Sequence, residues 1–147
     1  MSESIWFGTP ELKDIEWMQA NTLSQSLGIR VVEIGRDFLK GEMPVNEKTK
    51  QPFGICHGGA YVAMAEELGS IASWLMVDRE VFIGVGVEIN ANHLKAVRSG
   101  LVTGVCRPIH VTGRNHVWEI RITDDAGDLC CISRFTSTIV ARSKIHK

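Results

Sequence analysis

A histidine, two glycines and a glutamate stand at spacings that could do acyl chemistry. The segment Gln51-Pro-Phe-Gly-Ile-Cys-His57-Gly58-Gly59 runs straight into a long proline-free stretch, His57 to Met76. Glycines at a helix start let another group approach the backbone closely. The free N–H groups of a first helical turn, with the helix dipole, favour partial negative charge there. Such a place can polarise a carbonyl or hold an oxyanion. The same glycines would equally serve close packing. Glu66 follows nine residues after His57, among Met64, Ala65 and Leu68. Desolvation there would raise its pKa and make it a usable base. Ser70, one turn on, is in reach of it, and Ser73 recurs on the same face at i+7. A solvated helix face is the plainer alternative, and the expectation for Glu67.

His57 and Glu66 lie ~13 Å apart along one helix axis. From one helix they cannot act on one small reacting centre. If both are catalytic, two antiparallel helices from two copies of the chain must bring them together, in a symmetric dimer.

The elements that position these residues can be read from periodicity. Thr9-Pro10-Glu11 has the signs of a helix start, and Gly28 closes that helical region. Ile29–Ile34 and Phe38–Val45 form two strands joined by Gly35-Arg36-Asp37. Asn46–Lys50 is a polar loop. The stretch from His57 to Met76 is one helix about 30 Å long, with Met64, Leu68, Ile71 and Leu75 as its core stripe. Strands follow: Val81–Asn90, Leu101–Cys106, a half-buried one around Trp118, Ile120 and Ile122, and Leu129–Val140, the last two separated by the turn Asp124-Asp125-Ala126-Gly127. One helix embedded among strands gives an α+β fold with an antiparallel sheet, and the sheet must wrap the helix to bury it.

The chain has 147 residues, 44% hydrophobic and 22% charged, which suits a single domain over 1–147. Sixteen Lys+Arg against seventeen Asp+Glu give a net charge of −1, which argues against a basic nucleic-acid binder. The charge is uneven. From His93 to His116 there is no acid, while Lys95, Arg98, Arg107 and Arg114 supply four positive charges. No apolar run reaches membrane-span length and no secretory signal is visible. Cys56, Cys106, Cys130 and Cys131 form no CxxC pair, so reduced thiols in a cytoplasmic protein are expected.

Three blocks carry a resemblance: Gln51-Pro-Phe-Gly-x-x-His57-Gly58-Gly59, Ala65-Glu66-x-x-Gly69-Ser70 and Glu88-Ile-Asn-Ala-Asn-His93. Together they resemble the hot-dog fold acyl-CoA thioesterases, in the branch of the PaaI-like and 4-hydroxybenzoyl-CoA enzymes, from about Phe38 to Ile139. The resemblance implies a hot-dog subunit, an antiparallel sheet wrapped around one long central helix. It implies a homodimer with a continuous sheet as the minimal active unit, and commonly a homotetramer as a dimer of dimers. The substrate would be an acyl-CoA, suggested to be aromatic, with no separate cofactor and no metal. Glu66 matches the family's catalytic carboxylate, as nucleophile or general base. Gly58 matches the backbone donor to the thioester carbonyl. Gln51 and His57 match side chains that bind near that carbonyl or position water, and Ser70 a small hydroxyl residue that assists Glu66. Glu67 departs from the pattern, since relatives often carry Ser or Thr there.

CoA carries phosphates, which Arg and Lys bind. This gives the acid-free stretch a use: Arg114, beside Gly113 in a strand turn, is the first choice for the phosphates, with His93 and Arg98 next. Other chemistries fit less well. Adjacent Cys56 and His57 rarely reach productive contact, and His93, His110 and His116 match no common metal-ligand spacing. A hot-dog dehydratase is disfavoured by the Gln51/Glu66 pair, and a non-catalytic acyl-CoA-binding module would be expected to have lost Glu66.

Overall fold

A computed structural model of the protein describes residues 3–145. The N-terminal segment contains a 3₁₀ turn, Leu12–Asp14, and two short helices, α1 (Glu16–Gln19) and α2 (Leu23–Leu27). The expected start at Thr9-Pro10 is displaced: Glu11 is the capping residue, in a reciprocal box with Asp14. The expected single helical region is also broken. Ala20 is extended and Asn21 has φ 58°. Thr22 then caps α2, and Gly28 closes it in the left-handed conformation at φ 74°.

Strands β1 (Arg30–Ile34) and β2 (Leu39–Pro44) form the expected hairpin. Helix α3 (Gly58–Leu75) is followed by β3 (Phe82–His93), β4 (Leu101–Val111), β5 (Asn115–Thr123) and β6 (Leu129–Ala141). All six strands form one antiparallel sheet in the order β1-β2-β4-β5-β6-β3. The strands after α3 run up and down as neighbours except β3, which pairs with the last strand and closes one edge.

Met64, Leu68, Ile71 and Leu75 of α3 are all buried, as their spacing requires. Gly41 and Gly104, on the central strands, face Leu68 at distances where a Cβ would clash, so the sheet can lie close over the helix. Trp118, Phe135, Ile120 and Ile122 fill the space between. The four cysteines are free and buried. No helix among the described residues is long and apolar enough to cross a membrane. Strand β3 bonds to β6 on one side only, and Val85 and Val87 on it are exposed at 40% and 58%.

Candidate active site

His57 is the capping residue of α3, and its Nδ1 accepts the Gly59 N–H at 2.8 Å. That bond leaves Nε2 as the protonated nitrogen of the neutral ring, facing out as a donor. The Ala60 and Tyr61 N–H groups are taken by the His57 carbonyl. The Gly58 N–H has no partner among the described residues and sits on a cleft of about 280 Å³. Gln51, Cys56, Tyr61 and His93 share that cleft. The Gln51 side-chain oxygen accepts the Phe53 N–H, which turns its NH2 group free as a second donor.

His93 stacks on Tyr61 at 5.8 Å and covers Gly58 so closely that a Cβ there would lie 2.7 Å from Nε2. A side chain at position 58 would therefore displace the imidazole. Tyr61 is buried, and burial pushes its hydroxyl far above the usual phenol range. Cys56 and Cys131 are likewise raised by burial, Cys131 to about 11, so these thiols are poor nucleophiles. The cleft thus offers hydrogen-bond donors at a helix N-terminus and the His93 imidazole, but no carboxylate.

The carboxylate lies elsewhere. Glu66 is on the open face of α3, against the β3 bulge at Gly86–Glu88, and a Cβ on Gly86 would meet Glu66 Oε1 at 3.0 Å. In the single chain Glu66 is exposed, and the desolvation expected for it falls instead on Glu67. Glu67 is half-buried toward α2. Burial raises its carboxyl above the usual range, against hydrogen bonds from Ser24 and Gln19. Glu67 is therefore no solvated face residue. Ser70 is half-buried one turn beyond Glu66. Ser73, expected beside them, is fully buried and bonds Ser137 Oγ at 2.6 Å and Trp118 Nε1 at 2.8 Å.

The cationic stretch does not form one rim. Lys95 is held between Asp124 and Asp128 at 2.5 and 2.6 Å, and Arg107 pairs with Asp37 while covering the Phe38 ring. Arg98 donates to the Phe53 carbonyl, beside the Gln51 loop. Arg114 and Gly113 lie in the β4–β5 turn, next to Asn115, which is in register with Thr138 and through it with Val85. His93 is eight residues further along β3, which at ~3.4 Å per residue is about 27 Å away. Within one chain Arg114 and Gly113 therefore cannot join His93 and Arg98 on one phosphate group. Among the described residues no group of three or more His, Cys, Asp or Glu could hold a metal ion.

Residues 53–131, more than half of the chain, match the thioesterase superfamily. The chain belongs to that superfamily. It is 46% identical over 136 residues to the 1,4-dihydroxy-2-naphthoyl-CoA hydrolase of Escherichia coli K12, covering 92% of this chain and 99% of that one. Among solved structures, a mutant of the Pseudomonas aeruginosa thioesterase PA1618 superposes with a TM-score of 0.91 at 46% identity, over 94% of this chain and 99% of that chain. The Staphylococcus aureus protein SAV0944 is 35% identical, with TM-scores of 0.79 and 0.77 over 82% and 80% of this chain and 99% and 97% of its own. It was solved once with a glutamate and once with a glutamine replaced by alanine, fifteen positions apart. The protein is a thioester hydrolase of the hot-dog fold.

This thioesterase has site features that the sequence alone did not single out. Tyr61 forms the cleft wall and carries the stacked His93. Gly86 makes room for the Glu66 carboxylate. A signal existed for the second: two glycines, Gly84 and Gly86, inside a strand mark close approach by another group.

Proposed function

We propose that the protein hydrolyses an acyl-CoA thioester to the free acid and CoA, at a site shared by two copies of the chain. One observation carries the shared site. The carbonyl-polarising donors, Gly58 N–H and the Gln51 amide, face a cleft with no carboxylate in its lining, while Glu66 is eight residues along the same helix, ~12 Å away. An antiparallel second copy of α3 would set its Glu66 opposite these donors and His57. The unpaired edge of β3, with Val85 and Val87 exposed, supports a partner strand there, since a long apolar edge invites pairing. Such a homodimer is the minimal active unit, and a homotetramer would pair two of them.

In the proposed reaction the thioester oxygen accepts from Gly58 N–H and the Gln51 amide, where the helix dipole favours developing charge. Glu66 of the second copy either attacks the carbonyl carbon or takes a proton from the attacking water. The CoA thiolate leaves and is protonated; where Glu66 attacks, the mixed anhydride it forms is then cleaved by water, which releases the acid and restores the carboxylate. His57 Nε2–H positions water or the carbonyl, and the second copy's Ser70 assists Glu66. The spacing of Gln51 and Glu66 is fifteen residues, that of the glutamine and glutamate replaced in SAV0944, which supports pairing them in one reaction. For CoA, the phosphates fall to Arg114 with Gly113 from the copy that gives Glu66, and to His93 and Arg98 from the copy that gives Gly58. The Escherichia coli relative's name supports an aromatic acyl group, and a bicyclic dihydroxynaphthoyl thioester is the first substrate to try.

The test is a free-CoA release assay over aromatic, β-hydroxyacyl and straight-chain acyl-CoAs, with Glu66→Gln in parallel. Aromatic thioesters should be turned over fastest, and Glu66→Gln should lower kcat at least a hundredfold while the protein stays folded. Unchanged turnover in Glu66→Gln would sink the assignment.

A further inference from the structure

Two imidazoles flank Gly58, and they are held in different ways. His57 is fixed by a hydrogen bond, from the Gly59 N–H to its Nδ1 at 2.8 Å. His93 is exposed, and its ring makes no hydrogen bond or ion pair among the described residues. What meets it is the Tyr61 ring, stacked at 5.8 Å between centroids and 26° between planes. We propose that Tyr61 is a positioning residue of the hydrolase: its aromatic ring, and not its hydroxyl, holds the His93 imidazole over Gly58. The inference rests on the thioester reading above, in which Gly58 N–H is a carbonyl donor, and adds a residue that the reading does not use.

Three observations carry it. The first is the placement of the rings. Tyr61 is in the first turn of α3, with its N–H bonded to the His57 carbonyl at 3.3 Å, and His93 is the last residue of β3. The stack thus ties a strand end to the helix start that carries the donors. The second is the aim of the imidazole. A Cβ built on Gly58 would meet its Nε2, Cε1 and Cδ2 at 2.7, 3.1 and 3.2 Å, so the Nε2 edge lies against Gly58. All three residues line the same cleft of about 280 Å³, and an imidazole kept there narrows the approach to the Gly58 N–H. The third is the state of the tyrosine. Tyr61 is 2% exposed, yet its hydroxyl has no hydrogen-bond partner among the described residues. A buried hydroxyl without a partner costs stability, so what the position uses is the flat ring. Two aromatic rings at this separation favour the stacked arrangement by roughly two- to twelvefold beyond the area they bury. With no hydrogen bond competing, that preference sets where the imidazole stays.

CoA release from the best acyl-CoA of the assay above is measured for the full chain, Tyr61→Phe, Tyr61→Leu, His93→Ala and the pair Tyr61→Leu with His93→Ala. Tyr61→Phe should stay within twofold in kcat/KM, while Tyr61→Leu and His93→Ala should each lose about tenfold, near the top of the range for the stack. In the His93→Ala background Tyr61→Leu should cost less than twofold, because a residue that acts through the imidazole has nothing left to hold. Three results would each overturn the proposal: Tyr61→Phe falling as far as Tyr61→Leu, either Tyr61→Leu or His93→Ala staying within twofold of the unmodified chain, or a full further loss in the double variant. The stack is also read without activity. The His93 ring protons, assigned by their loss in His93→Ala, should lie upfield in the NMR spectra of the unmodified chain and Tyr61→Phe. In Tyr61→Leu they should move to the free-imidazole position. Free-imidazole positions in the unmodified chain would overturn the proposal whether or not Tyr61→Leu folds, and would leave the hydrolase reading standing. An unmodified chain that releases CoA from no acyl-CoA overturns the hydrolase reading, and this role with it.

Discussion

Gly86 offers a graded test of how tightly Glu66 must be placed. A Cβ built on Gly86 lies 3.0 Å from Glu66 Oε1 and 3.0 Å from Phe135 Cε2, whereas ordinary contact begins at 3.4 Å. The Phe135 ring cannot retreat, because it is 1% exposed and already occupies the space over Gly69. In Gly86→Ala the carboxylate must therefore yield, by about 0.4 Å; at roughly a hundredfold in rate per 1 Å of misplacement this is about sixfold in kcat. Gly84→Ala is the matched control. It lies on the same strand and face, and its Cβ meets Ser73 Cβ at 3.0 Å and no part of Glu66. Both substitutions crowd the contact between β3 and its neighbours and should cost about 1–3 kcal/mol of stability. The assay is steady-state kcat on benzoyl-CoA beside thermal unfolding of each variant. Gly86→Ala should lose about sixfold in kcat and Gly84→Ala less than twofold at similar Tm. An equal loss in both, or none in Gly86→Ala, would show that the Glu66 carboxylate is not held in place by the space at Gly86.

Three further outcomes follow from the same contacts. Burial holds the Glu67 carboxyl above its ordinary value of 4.5, so the native chain keeps a proton there that the unfolded chain has released. Stability should fall as pH rises through that window, and Glu67→Gln should flatten the curve of Tm against pH; parallel curves would contradict it. Ser73→Ala removes the partner of Trp118 Nε1 and of Ser137 Oγ in a fully buried place and should cost about 2–4 kcal/mol in urea unfolding at fixed protein concentration. Less than about 1 kcal/mol would show that the two groups find other partners. Arg114→Ala should raise KM for an acyl-CoA more than for an acyl-pantetheine without the nucleotide phosphates, and an equal rise for both would remove Arg114 from CoA binding.

The long helix, the hairpin and the up-and-down strands were legible because each is written locally, as a 3.6-residue stripe or as alternation. The Gln51–Gly58 segment was legible for the same reason, since glycines and a capping residue announce a helix start. What was not legible depends on what packs from far away. Glu66 and Glu67 are adjacent, about 100° apart around the helix, and which of them is buried is decided by α2, through Ser24. Ser73 differs from Ser70 only in what lies above it, namely Trp118 and Ser137. The acid-free stretch looked like a single basic rim, but its Lys95 meets carboxylates from the β5–β6 turn, and its Arg107 meets Asp37 from the β1–β2 turn. The broken N-terminal helix turns on Asn21 in a left-handed conformation, and the pair Asn21–Thr22, a helix-ending residue followed by a capping one, is the local signal for that break.

In the proposed shared site, Gln51 and Gly58 come from one copy and Glu66 from another. Subunit complementation tests it directly. Gln51→Ala and Glu66→Ala chains are each purified, unfolded together in equal amounts, refolded and assayed for CoA release. Random pairing makes half of the dimers mixed, and each mixed dimer has one intact site of two, so about a quarter of the unmodified activity should return. Activity that stays at the mean of the two parent variants, with mixed dimers shown to be present, would contradict the shared site.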